Sequence, residues 1–172
     1  MVRSILIHPD PRLRKPCEAV AAITPEIEGL GRDLLETMYD APGIGLAAPQ
    51  VGVMKRIIAM DCIKNGPPEP IVLLNPKVTW SSEDQSTYEE GCLSIPDQYA
   101  EVRRPASVNV CWLGLDGETH ERHFEGLWAT CVQHEIDHLD GRLFIDYLGP
   151  LKRQMITRKM EKLKRELARG GQ

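Results

Sequence analysis

The pentapeptide His134-Glu135-Ile136-Asp137-His138 is the feature that most restricts what this chain can fold into. Residues 127–140 around it have helical spacing, and Gly141 is typical of the position just after a helix. On a helix, residues four apart are rotated by only about 40°, so two imidazoles lie one above the other and can bind one metal ion. Glu135 is turned by about 100° from His134, toward a water in the site. The pattern predicts a metal-dependent hydrolase.

The remaining segments predict an α+β fold, with short, mainly antiparallel strands around this central metal-binding helix and a further C-terminal helix. Thr24-Pro25 is typical of a helix start, and the helical spacing that follows ends at 41–43. Strand-like runs cover 56–62 and 71–80, and 107–113 with 119–124 predicts a hairpin around Asp116-Gly117. Pro150 begins the last helix, whose predicted apolar stripe is Leu151, Met155, Met160, Leu163 and Leu167. We expect one catalytic domain over residues 1–172, with 151–172 as its basic C-terminal helix.

The composition points to a protein of the cytoplasm. The five cysteines are an odd number without C-x-x-C pairs, which argues against a disulfide framework. No apolar run is long enough to span a bilayer, and the first residues lack a signal-peptide pattern. We therefore expect free cysteines, a cytoplasmic location and no contact with a membrane.

The charge of the chain is divided unevenly. Residues 151–172 contain eight Lys/Arg and two Glu, so they carry +6, while the first 150 residues carry −10 of the total of −4. A basic helix on an acidic body suits an anionic partner. A solvated helix face explains the same pattern, and charge alone slightly favours that second interpretation.

Two histidines leave a tetrahedral metal short of a third protein ligand, which a carboxylate or a cysteine thiolate can supply. Cys92 lies in the polar segment Glu89-Glu90-Gly91-Cys92-Leu93-Ser94 rather than in an apolar run. Cys131 lies on the metal-binding helix itself, three residues before His134. The spacing favours Cys92 over Cys131 but does not decide between them.

Three segments together resemble peptide deformylases: residues 43–50 (Gly-Ile-Gly-Leu-Ala-Ala-Pro-Gln), 90–94 (Glu-Gly-Cys-Leu-Ser) and 133–139 (Gln-His-Glu-Ile-Asp-His-Leu). The resemblance covers nearly the whole chain. It implies that Cys92, His134 and His138 bind the metal and that Glu135 is the general acid/base. It further implies that Gln50, which alone could equally be a surface residue, and the Leu93 backbone N–H stabilise the oxyanion. The implied substrate cleft contains Ile44, Gly45, Tyr88, Leu127, Thr130 and Cys131.

The implied reaction is removal of the N-formyl group from nascent chains that begin with formyl-methionine, with release of formate. Ligand type alone suggests zinc. The resemblance instead implies Fe(II), with nickel or cobalt as substitutes and zinc often less active. The resemblance also implies a partner for the basic helix, because its Lys and Arg side chains would bind the phosphates of ribosomal RNA. We expect a monomer.

Two other functions fit the same motif. One is a zinc metallopeptidase whose third ligand lies downstream, at Glu161 or Glu166, although both are on a Lys-rich helix that reads as exposed. The other is a binding protein with a structural metal site, in which Cys131 would fill the fourth position. In addition, Tyr99 stands where well-known deformylases have an arginine that contacts the substrate backbone. That difference affects contacts further along the peptide rather than the chemistry.

Overall fold

The computed structural model describes residues 1–170 and has the α+β architecture that the sequence predicts. The helices are α1 (Pro25–Asp40), α2 (Gly126–Leu139) and α3 (Pro150–Gly170). The strands are β1 (Gly45–Ala47), β2 (Ile57–Met60), β3 (Ile71–Ser81), β4 (Gln85–Cys92), β5 (Ile95–Pro105), β6 (Ser107–Leu113) and β7 (Thr119–Glu125). All pairings between these strands are antiparallel. Within residues 1–170, none of the helices combines the length and hydropathy that crossing a bilayer requires.

One five-stranded sheet, in the order β1-β2-β3-β6-β7, separates two layers of core. Side chains alternate along a strand, so β2 contributes to both layers and all four of its residues are buried. Ile57 and Ala59 pack in the cluster that contains the apolar face of α1, whereas Ile58 and Met60 pack in the cluster that contains α2. The helix with the H-E-x-x-H motif therefore packs against one face of the sheet through buried apolar side chains.

The local signals read from the sequence occur at the expected positions. The Thr24 hydroxyl accepts a hydrogen bond from the Ile27 N–H at the start of α1. β6 and β7 form the expected hairpin, with Asp116-Gly117 in its turn. Gly141 follows α2 with a φ of 76°, a backbone conformation that favours glycine at a helix end.

The hairpin of β4 and β5 has no counterpart in the sequence prediction, which treated 89–94 only as a polar segment. Its inward-facing positions include Glu90 and Arg104, which are 5% and 4% exposed. These two charges break the apolar alternation by which a half-buried strand is usually found. The hairpin brings Cys92, at the end of β4, opposite α2.

The apolar stripe predicted for α3 is wrong in part. Ile156 and Met160 are buried and Leu163 is partly buried, but Leu151, Met155 and Leu167 are 76%, 54% and 58% exposed. Leu151 and Met155 lie about 100–140° around the helix from Ile156, so they face away from the body. Leu167 shares the face of Ile156 but lies in the last turns, where every residue is exposed.

Candidate metal centre

The structure brings the three expected metal ligands together. His134 and His138 project from α2 and are buried, and Cys92 approaches them from the end of β4. One ligand atom from each residue lies within 4.8 Å of the other two, and the Cys92 Sγ is 3.4 Å from the His138 Nε2. A set of one sulfur and two imidazole nitrogens suits a divalent metal such as zinc or iron and leaves one position open.

The other candidates for third or fourth ligand lie outside this group. Among residues 1–170, the set of possible ligands consists of Cys92, His134 and His138. The Cys131 Sγ instead lies 3.6 Å from the carbonyl oxygen of Ile44. Glu161 and Glu166 are exposed on α3, as their sequence context suggested. The geometry therefore favours neither the peptidase ligand set nor a site closed by four protein ligands.

The orientation of each imidazole is compatible with metal binding through Nε2. The His134 Nδ1 is 2.9 Å from Glu90 Oε1, so this nitrogen donates to the carboxylate and leaves Nε2 as the acceptor. The His138 Nε2 faces Cys92, whereas its Nδ1 is buried without a partner in the described structure. The Nε2 atoms of both histidines are thus the nitrogens that a metal shared with Cys92 would contact.

Glu90 belongs to a buried network that the sequence reasoning missed. Arg104 donates to both oxygens of Glu90, at 2.7 and 2.9 Å, and to Asp137 at 2.8 Å. The Tyr147 hydroxyl donates to the same Asp137 oxygen at 2.7 Å. Burial raises the pKa of Glu90, but hydrogen bonds from His134 and Arg104 outweigh it and hold the pKa below its ordinary value. A sequence signal for this network was available in Glu90 and Arg104, two opposite charges at positions of β4 and β5 that face inward.

Glu135 is placed to hold a proton beside the ligands. Its side chain is buried, and its Oε1 has no hydrogen-bond partner in the described structure. Burial raises the pKa of Glu135 to about 7, with a further contribution from the negative charge of Glu90 that His134 and Arg104 partly oppose. A carboxyl group with a pKa near neutrality both accepts and returns a proton, which general acid/base catalysis requires.

The two histidines have different electrostatic environments. Burial lowers the pKa of His134, but the charge of Glu135 and hydrogen bonds with Cys92 and Glu90 raise it well above its ordinary value. Burial and the positive charge of His134 lower the pKa of His138. The acidic and thiol groups around His134 therefore favour positive charge at this position. A bound metal ion would supply that charge, as a proton on the imidazole does.

Gln50 is a buried residue of the site, so the alternative of a surface side chain is wrong. Its Oε1 accepts the Ala47 N–H at 2.9 Å, and its Nε2 donates to Ser94 Oγ at 3.1 Å. The same Nε2 lies 3.5 Å from the Cys92 Sγ. These contacts fix the amide with its N–H group toward the ligands. Leu93 lies in the turn between β4 and β5 and lines the same cleft.

A cleft of about 420 Å³ leads to the ligands. A Cβ on Gly45 would lie 2.5 Å from Glu135 Oε2 and 2.8 Å from the Cys131 Sγ, so a larger residue would press on both side chains. Tyr99 also lines the cleft and is 60% exposed at its rim. All the residues expected to contact the substrate lie along the cleft, namely Ile44, Gly45, Tyr88, Leu127, Thr130 and Cys131.

Comparison with known proteins finds the same family along almost the entire chain. The family model described as polypeptide deformylase matches residues 2–154. The peptide deformylase of Afipia carboxidovorans is 56% identical over 162 residues, which cover 94% of this chain and 95% of that protein. The peptide deformylase of Rhizobium meliloti is 54% identical over 162 residues, covering 94% and 93%.

Solved structures agree with the sequence relatives. A peptide deformylase from Legionella pneumophila superimposes with a TM-score of 0.91 at 46% identity, covering 98% of this chain and 99% of that one. The Ehrlichia chaffeensis peptide deformylase, crystallised in complex with actinonin, gives 0.92 at 37% identity, covering 95% and 98%. Both the sequence and the architecture are therefore shared.

Proposed function

This chain belongs to the polypeptide deformylase family, and from that premise we propose how its residues remove the N-formyl group from formyl-methionyl peptides. The protein is a metal-dependent hydrolase, and the reaction releases formate. One observation carries the proposed roles: the ligand atoms of Cys92, His134 and His138 gather within 4.8 Å at the inner end of the cleft, beside Glu135.

Cys92, His134 and His138 hold the metal in this proposal. When bound, a divalent ion with an open position supplies a Lewis acid and brings the pKa of its water toward about 7. We propose Fe(II) as the working metal, with zinc, nickel or cobalt as substitutes. Ligand type alone suggests zinc, so the support for iron is the family resemblance.

Glu135 moves the proton in the proposed mechanism. It accepts a proton from the attacking water and delivers it to the leaving amine, for which a pKa of about 7 is suitable. As charge builds on the formyl oxygen, the Gln50 Nε2 and the Leu93 backbone N–H donate to it. Ala47 and Ser94 already fix the Gln50 side chain, so its second N–H, which makes only a 3.5 Å contact with the Cys92 Sγ, can donate to the oxyanion with little reorganisation.

The cleft residues bind the methionine side chain and admit the formyl group. Gly45, which has no side chain, leaves room for the Glu135 carboxyl group beside the cleft, since a Cβ there would lie 2.5 Å from its Oε2. The proposed wall of the methionine pocket consists of Ile44, Tyr88, Leu127, Thr130 and Cys131. Apolar and aromatic side chains with few polar groups are typical of such a small-molecule pocket.

The deciding experiment measures formate release from formyl-Met-Ala-Ser after anaerobic loading with Fe(II). We expect release of formate and no cleavage of peptides blocked at both ends. The Cys92→Ser variant should lose both the metal and the activity, whereas Cys111→Ser, on β6, should keep both. Cleavage of the blocked peptides without formate release would instead favour the metallopeptidase.

Metal removal separates this enzyme from a protein with a structural metal site. Three apolar clusters form the core, so we expect the apoprotein to retain a cooperative thermal transition while losing activity. Circular dichroism before and after chelation measures this. Collapse of the far-ultraviolet signal on chelation would support the structural site.

We also propose that α3 contacts ribosomal RNA, and that the protein acts in the cytoplasm as a monomer formed by one catalytic domain. Arg158, Lys159 and Lys162 are exposed on a helix of high positive charge, which favours phosphate contacts. Truncation would remove the buried Ile156 and Met160, so charge reversal is the sharper test.

The charge-reversal variant Arg158→Glu/Lys159→Glu/Lys162→Glu should pellet less with ribosomes, with a shallower salt dependence. Its activity on formyl-Met-Ala-Ser should match that of the parent. A matched variant, Arg32→Glu/Lys64→Glu/Lys77→Glu, changes the same number of exposed charges on the body. Equal ribosome binding by the two variants would refute a specific role for α3.

A further inference from the structure

We propose that Tyr147 is a positioning residue for the metal ligand His134, acting through Asp137, Arg104 and Glu90. Tyr147 lies in the short 3-10 helix Phe144–Tyr147, outside the cleft and just before α3. The proposal rests on the metal site proposed above and adds a group that does not touch metal or substrate.

The inner half of the network fixes the imidazole. Glu90 accepts from the His134 Nδ1 at 2.9 Å, which sets both the tautomer and the rotation of the ring. A buried carboxylate needs a charged partner, and Arg104 supplies two parallel hydrogen bonds to it. Because Glu90 stands two residues before Cys92 on β4, the same contacts set the distance between β4 and α2.

The outer half of the network fixes Arg104. Its Nη1 donates to Asp137, which lies on α2 three residues after His134. The Tyr147 hydroxyl donates to Asp137 at 2.7 Å and is 3.3 Å from the Arg104 Nη1, while the Tyr147 ring lies 4.6 Å from the guanidinium carbon. Tyr147 therefore holds the guanidinium by a cation–π contact and by a hydrogen bond to its counterion.

Burial explains why the outermost member matters. Glu90 and Arg104 are almost fully buried, and the Asp137 side chain is 15% exposed, whereas Tyr147 is 45% exposed. Tyr147 thus covers the charged network at the protein surface. Without its hydroxyl, Asp137 has one donor fewer, and water competes for the carboxylate that orients Arg104. The expected consequence is a less fixed His134 ring and a faster loss of metal.

The test compares Tyr147→Phe, which keeps the ring, with Asp137→Asn, which keeps the shape of the side chain. Loss of the direct partner of a ligand, which is Glu90 here, typically weakens metal binding by about 10–100-fold. Asp137 acts through Arg104 on Glu90, so we expect Asp137→Asn to accelerate metal release by about tenfold, at the low end of that range. Tyr147→Phe, one step further away, should accelerate it about threefold. Release is measured with a coloured chelator, and the absorption bands of the Co(II) form report the ligand geometry.

Tyr39→Phe is the matched control. Tyr39 is 47% exposed, and its hydroxyl donates to Asp61 at 2.6 Å, away from the ligands. We expect similar small decreases in Tm for Tyr39→Phe and Tyr147→Phe, with faster metal release and altered Co(II) bands for Tyr147→Phe alone. Parent-like release from both Tyr147→Phe and Asp137→Asn, or equal acceleration by Tyr39→Phe, would overturn the proposal. Failure of the parent to bind one metal, or retention of metal by Cys92→Ser, would overturn the metal site itself.

Discussion

Helices α2 and α3 differ in how much of their surface the fold covers. α2 lies between the large sheet and the β4–β5 hairpin, and eight of its fourteen residues are buried. α3 has twenty-one residues but buries only Ile156 and Met160. A polar group on α2 therefore needs a partner, whereas most side chains of α3 are free to remain in water.

This difference separates two kinds of function. On α2, burial shifts the pKa of Glu135 to about 7 and confines His134 and His138 to one orientation, so chemistry is concentrated there. On α3, the many exposed Lys and Arg side chains suit a long-range, salt-sensitive contact. The predictions below test whether substitutions on the two helices have such different consequences.

The largest expected effect is that of Glu135→Gln on α2. The amide keeps the size of the side chain but neither accepts nor returns a proton, so kcat/KM should fall by about 10²–10⁴-fold. The unfolding midpoint should stay the same or rise, because a buried and partly unpartnered carboxyl group is lost. Formate release and thermal unfolding measure the two quantities.

Metal content provides the control for Glu135→Gln. The Cys92 and histidine ligands are unchanged in this variant, so it should bind one metal per chain like the parent protein. Deformylation at the parent rate by a fully loaded Glu135→Gln protein would remove Glu135 from the proposed mechanism.

The next largest effect concerns stability, and it distinguishes the buried residues of α3 from the exposed ones. Ile156→Ala removes a buried side chain from the cluster shared with β5, and should lower the free energy of unfolding by about 2–4 kcal/mol. The activity of the folded fraction on short peptides should change little, because Ile156 does not line the cleft. Urea unfolding and formate release check this pair of expectations. A cost below about 0.5 kcal/mol, the level of an ordinary surface substitution, would show that α3 is not anchored by this contact.

Gly45→Ala tests how tightly β1 packs against the side chains of α2. The added Cβ presses on Glu135 and Cys131, and overpacking of this kind costs about 1–3 kcal/mol. When that cost falls on the reacting geometry, kcat/KM drops by about five- to 150-fold. Gly149→Ala, just before α3, is the control, because a Cβ there meets no atom within 4 Å. Equal activities of these two variants would contradict the tight fit at Gly45.

Much of the fold and of the site follows from local sequence signals. Thr24-Pro25, Asp116-Gly117 and Gly141 act through the backbone of their own neighbours, so they appear in the sequence as they do in the structure. The spacing of His134 and His138 likewise depends only on the geometry of one helix. The grouping of Cys92 with them depends on the hairpin, and the sequence alone left Cys131 as a competitor.

The parts that were missed depend on contacts between distant segments. Glu90 and Arg104 satisfy each other across the β4–β5 pair, so neither charge signals burial when read alone. Tyr147 joins this network through a tertiary contact that no local pattern encodes. Leu151 and Met155 were assigned to the buried stripe because apolar spacing does not reveal how much of a helix the body covers.

The smallest expected effect is that of replacing those two exposed apolar residues of α3. Leu151→Ser and Met155→Ser remove side chains that already lie in water, so each should change the free energy of unfolding by less than about 0.5 kcal/mol. Formate release should equal that of the parent, in contrast to that of Glu135→Gln on α2. Urea unfolding measures the difference, with Ile156→Ala as the sensitive reference on the same helix. A loss above about 2 kcal/mol from either serine variant, comparable to that of a buried residue, would mean that this face of α3 is covered in solution.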